Sequence, residues 1–99
     1  SSSQYALRTQ TLADLPAEQY ASYRATAETV LHAAEQHLGI RWTAPIPALA
    51  RLIVTLTDGI TLAWLADRDD AAAETTIDLA ATALASYAAF ENPNTTSTA

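Results

Sequence analysis

The sequence predicts an all-α protein. Of its 99 residues, 49% are hydrophobic and 16% charged, and with only two glycines and an abundance of alanine this composition suits packed helices. Apolar side chains recur at three- and four-residue intervals through three long stretches, and proline, glycine and aspartate punctuate the stretches where helices begin and end. The expected architecture is three main helices preceded by a short one.

The short helix is expected over residues 3–12, where it carries Tyr5, Leu7 and Leu12. The first long helix is expected over residues 15–38. Pro16 suits its opening turn, Glu18 complements the positive end of its dipole, and Gly39 suits the left-handed position that closes a helix. Its apolar face collects Tyr20, Tyr23, Ala27, Val30, Leu31, Ala34 and Leu38, while Glu28, His32 and Glu35 share a polar flank.

Residues 54–64, VTLTDGITLAW, admit two readings. Alternating residues around Asp58-Gly59 fit a β-hairpin, whereas winding residues 46–66 as a helix gathers Ile46, Leu49, Leu52, Ile53, Leu56, Ile60, Ala63 and Trp64 on one side. The helix is favoured, because it also accounts for PALARLI before the pair and WLAD after it. Pro45 and Pro47 then fall at the helix start, where a missing N–H costs little. Gly59 costs roughly 1 kcal/mol inside a helix, which calls for a compensating benefit such as the close approach of another helix.

After the turn DRDD, a third helix is expected over residues 71–90, with Asp69 or Asp70 as N-cap. It bears two apolar stripes. One holds Ala73, Ile77, Ala80, Ala81, Leu84, Tyr87 and Ala88, and a nearly opposite one holds Leu79, Ala83 and Phe90. One stripe suffices for the protomer's own core, so the other points to a homodimer. Asn92-Pro93 stops the helix, and residues 92–99 are expected to be a disordered polar tail.

Bulk properties narrow the function. Five basic against eleven acidic residues give a net charge of −6, so these residues supply no field for a phosphate backbone. Cysteine is absent, and no stretch approaches about 18 uninterrupted apolar residues, so neither a membrane span nor a signal peptide is expected. A cytoplasmic protein is the expectation. No HExxH, glycine-rich phosphate loop or Gly-x-Ser-x-Gly elbow is present, so neither catalysis nor a cofactor is expected.

RLIVTLTDGITLAWLADRDD, residues 51–70, resembles the last two helices of TetR-family bacterial transcriptional regulators, and ALRTQTLADLPAEQYASYRATAETVLHAAEQHLGIRW before it is similar to the preceding regulatory helices. The likeness extends over about residues 5–90. It implies a C-terminal regulatory domain spanning residues 1–91, in which the last two helices pair with those of a second protomer as a four-helix bundle. An effector pocket would lie among the preceding helices. These residues depart from the whole family pattern in one respect, since no basic helix-turn-helix occurs in them. DNA contact is therefore expected only through an N-terminal domain outside these 99 residues.

Candidate effector-binding residues are Tyr5, Tyr20, Tyr23, Arg24, His37, Trp42 and Trp64. Aromatic surface with a polar handle suits a mostly apolar small molecule, and Arg24 suits an anionic group, although each residue also fits core packing or a solvated surface. Candidate dimer contacts are Leu56, Gly59, Ile60 and Ala63 in the second long helix, with Ile77, Ala81, Leu84 and Ala88 in the third. Glu28, His32 and Glu35 have metal-ligand chemistry but no converging second helix, so a solvated flank and no metal are expected. A helical interaction module without a ligand is the competing reading.

Overall fold

The computed structural model describes residues 17–91. Their order is α1 (Ala17–Leu38), β1 (Ile40–Trp42), α2 (Ile46–Asp67), α3 (Asp70–Ala85) and β2 (Ala88–Phe90). The expected helix at residues 3–12, with Tyr5, and the tail at 92–99 lie outside the described residues.

The helix reading of residues 54–64 holds, since α2 runs unbroken through Asp58-Gly59. Pro45 is its N-cap in extended conformation, and Pro47 lies in its first turn. Gly39 takes φ +65° and ends α1, as its lack of a Cβ permits. Asp69 caps α3, its Oδ1 accepting the Ala72 N–H at 3.0 Å.

The third helix is shorter than expected. It ends at Ala85 instead of continuing to residue 90, and Tyr87, Ala88 and Phe90 leave the helical stripes. Residues 88–90 instead form β2, antiparallel to β1, with Ile40 opposite Phe90 and Trp42 opposite Ala88. Capture by a distant strand explains the ending. The Thr43 N–H and hydroxyl both donate to the Tyr87 carbonyl, at 2.7 and 2.9 Å, and the Glu91 N–H donates to the Gly39 carbonyl. These bonds replace helical ones that residues 87–91 would otherwise have made.

The core forms where α1 crosses α2. Ala27 and Leu31 pack against Leu49 and fully buried Ala50, with Trp42, Ile46, Ile53 and Leu84 around them. β1 places Ile40 and Trp42 on the inner face and Arg41 outside. Trp42 joins the pieces, since its indole N–H donates to the Leu31 carbonyl at 2.9 Å and its backbone N–H donates to Glu35 at 3.3 Å.

This core is small. Ala27, Leu31, Ile40, Leu49, Ala50 and Val54 are its only buried hydrophobic residues among those described, and α3 buries none. Leu62, Leu65, Ile77 and Leu79 stand about half or more exposed on α2 and α3. By length and composition α2 could also cross a membrane. Its exposed Arg51 and Asp58, and its apolar excess beside an equally uncovered α3, fit the core helix of a larger bundle.

Chemical denaturation of Trp42 variants separates its two contributions. Trp42→Phe, which keeps the ring packing and loses the Leu31 bond, is expected to cost about 1 kcal/mol. Trp42→Ala is expected to cost about 3 kcal/mol by opening the core. Equal costs would show that packing contributes little.

Candidate functional site

Grooves mark the surface of the helices among the described residues, and three of them bear on the candidate residues. The largest, about 660 Å³, lies between α1 and α2. Tyr23, Ala27 and Val30 form one wall, and Ile53, Val54 and Thr57 the other, with Asp58 at its edge. It is mostly apolar with a few polar groups, the lining that small-molecule sites favour. The Gln19 amide donates to the Tyr23 hydroxyl at 3.0 Å, which fixes that ring along α1.

Tyr20 lies one turn before Tyr23, and Arg24, the residue after Tyr23, lies one turn beyond Tyr20. The Arg24 guanidinium carbon is 5.9 Å from the Tyr20 ring centre, and that of Arg51, from α2, is 5.7 Å away. Two cations on one ring tie the start of α1 to α2. Arg24 also approaches Glu28 at 3.9 Å.

The other candidate aromatics are elsewhere. Trp42 is committed to the core, and His37 is exposed near the end of α1 and lines none of the three grooves. Trp64 lies at the α2–α3 turn, where its indole N–H donates to Asp70 at 2.7 Å and Arg68 stacks on its ring at 4.4 Å. Of the described candidates, only Tyr20, Tyr23 and Arg24 are close neighbours. Val54, Thr57 and Asp58 were not singled out in the sequence, because a period-3.6 reading of one helix does not reveal which flank a neighbour leaves open.

Two further grooves flank the line along which α2 meets α3. The outer one, about 350 Å³, contains Thr55, Gly59, Ala63 and Trp64 with Ala72 and Thr76. The inner one, about 380 Å³, contains Ile53, Thr57 and Thr61 with Ile77, Ala81 and Leu84, and reaches the core through Ile53 and Leu84. Leu56 and Ile60 line both. The candidate interface residues are thus divided, with Gly59 and Ala63 on one side of the helix pair and Ile77, Ala81 and Leu84 on the other. Ala88 belongs to β2 and not to a helical stripe.

A Cβ added to Gly59 would meet nothing within 4 Å. No close approach within this protomer requires the glycine. Glu28, His32 and Glu35 are engaged locally, with His32 3.9 Å from Glu35 and Glu35 accepting the Trp42 N–H. Among the described residues no three His, Cys, Asp or Glu side chains converge as metal ligands.

The turn itself holds a local strain. Arg68 has φ 52° and ψ 30°, a left-handed conformation that costs an L-residue roughly 1–2 kcal/mol, partly offset by its stacking on Trp64. Arg68→Gly is therefore expected to leave the melting temperature almost unchanged, whereas Arg68→Ala keeps the strain, loses the stack and costs about 1 kcal/mol. Thermal denaturation of both variants checks this, and an Arg68→Ala protein as stable as the parent would contradict it.

The arrangement joins helices around a small core, an open apolar groove and a helix hairpin that lacks cover. Comparison with curated proteins and with solved structures returns no match. A family model described as BetI-type transcriptional repressor, C-terminal, matches residues 1–89. That match covers almost the whole chain, which therefore belongs to this family of TetR-type C-terminal regulatory domains.

Proposed function

We propose that this chain is the effector-sensing and homodimerisation domain of a TetR-like repressor, with residues 1–91 as the domain and residues 92–99 as a tail. A small molecule bound among its helices would alter the DNA affinity of an N-terminal helix-turn-helix domain outside these 99 residues. The observation that carries the reading is α3, a helix with Ile77 50% and Leu79 66% exposed and no buried residue in the protomer. A second protomer would cover such surface. The α1/α2 groove, with Tyr23 in its wall and Tyr20 and Arg24 close by on the same helix, supports an effector of mostly apolar character.

The mechanism needs no catalysis. An effector that binds one arrangement of the two protomers better than another shifts their equilibrium by that difference in affinity, and the attached DNA-binding domains follow. The family's role as transcriptional repressors supports a cytoplasmic location.

Light scattering coupled to size exclusion is expected to give a dimer at micromolar concentration. A monomer would overturn the dimerisation part. In a melting screen, an apolar ligand at a hundred times its Kd is expected to add about 2.7 kcal/mol of stability, an effect abolished by Thr57→Trp, which fills the groove. A dimer that no ligand stabilises would favour the interaction-module reading, which the dispersal of Trp42, Trp64 and His37 away from one pocket supports.

A further inference from the structure

The grooves that meet at Ile53 and Thr57 have a common floor. Both residues line the α1/α2 groove and the inner α2/α3 groove, of about 660 and 380 Å³. α2 is therefore the floor of one trough, with Tyr23 and Val30 of α1 on one wall and Ile77, Ala81 and Leu84 of α3 on the other. Packed helices lie about 8–10 Å apart, so an occupant that touches both walls must be longer than one such spacing.

Two hydroxyls on this floor have no partner. Thr26, Thr29, Thr55, Thr75, Thr76 and Thr82 each donate their hydroxyl to the carbonyl four residues back, a bond that one helical rotamer of threonine allows. Among the described residues Thr57 and Thr61, which line the trough, make no such bond. Being four residues apart, they are neighbours on one ridge, with Cβ atoms about 5–6 Å from each other. A single carbonyl oxygen has two lone pairs and can accept from both. Asp58, at the rim, is the one charged residue lining either groove. Arg24 lies beside Glu28 and Arg51 over Tyr20, so neither offsets an anion in the trough.

We infer that the trough takes an elongated, uncharged molecule whose carbonyl, set between two apolar arms as in a long-chain ketone or ester, accepts hydrogen bonds from Thr57 and Thr61. This rests on the effector reading above and names the chemical class of the ligand. One arm lies against Tyr23 and Val30, and the other against Ile77 and Ala81. Val30 and Ile77, 60% and 50% exposed, gain apolar cover from it. A carboxylate in the same place would lose its water and meet Asp58.

The ligand and a second protomer use different sides of α3. Ile77 and Ala81 line the trough, whereas exposed Leu79 lies nearly opposite them around the helix and lines none of the grooves described above. Occupancy of the trough therefore leaves Leu79 for the partner.

The test is displacement of the uncharged fluorescent dye N-phenylnaphthylamine from the full chain, with the helicity of each variant checked by circular dichroism. Each added methylene alone strengthens binding about fourfold, so the decisive comparison keeps chain length constant. A ketone of about thirteen carbons with its carbonyl at the centre is expected to bind about fivefold more tightly than the isomer with the carbonyl next to one end. Thr57→Val and Thr61→Val are each expected to reduce that preference, and the double variant to remove it. The carboxylic acid of the same length is expected to bind about tenfold more weakly than the centred ketone. Ala81→Trp, which fills the α3 side, is expected to weaken the centred ketone about tenfold and to leave a ketone of about seven carbons, short enough for the α1 side alone, within about twofold. Isomers that bind equally overturn the role of the two threonines, an acid that binds as well overturns the uncharged class, and an Ala81→Trp protein that binds the long ketone as the parent does overturns the single trough. In each of these cases the effector reading stands. If no ketone displaces the dye, this inference falls, and the effector reading falls with it only when the melting screen also finds no stabilising ligand.

Discussion

Everything ordered in this protomer depends on the crossing of α1 and α2, where Leu31 and Leu49 close over Ala50. Alanine at the contact lets the helices approach, and the leucines on either side exclude water from it. Trp42 extends this contact beyond two helices. Its ring lies against the same cluster while its N–H reaches the Leu31 carbonyl, so β1 is held to α1 by apolar packing and by a hydrogen bond together. β2 pairs with β1, and the end of α3 is thereby attached to the turn between the other helices.

That attachment contrasts with the lack of cover along α3. The helix is held at its start by the Asp69 cap and the Trp64–Asp70 bond, and at its end by Thr43 and the strand pair. Between these points it rests on α2 with Ile77 and Leu79 half or more exposed and no residue buried. A helix fixed at both ends and open along its length would lose little conformational entropy if a partner covered it.

The groove and the hairpin share α2. Ile53 and Thr57 belong to both the α1/α2 groove and the inner α2/α3 groove, while Thr55 and Gly59 lie on the other side of the helix. One helix therefore has a core edge, a groove edge and an open edge. This division explains why α2 is apolar nearly all round yet holds Arg51 and Asp58 at its surface, and why its composition alone resembles a membrane span.

Local chemistry in the sequence was enough for α1 and α2, the Asp69 cap and the helical state of residues 54–64, because periodicity and capping act within a few residues of one another. The family likeness was legible there too, since residues 51–70 carry it in a contiguous segment. The end of α3 was not. Residues 86–90 suit a helix by propensity, and only a partner forty-odd residues earlier, at Thr43 and Ile40–Trp42, converts them to a turn and a strand. The candidate pocket was partly legible for the same reason. Tyr20, Tyr23 and Arg24 are neighbours on one helix, whereas the separation of Trp42 into the core and Trp64 into the turn follows from how the helices cross, a long-range outcome that no single-helix pattern encodes.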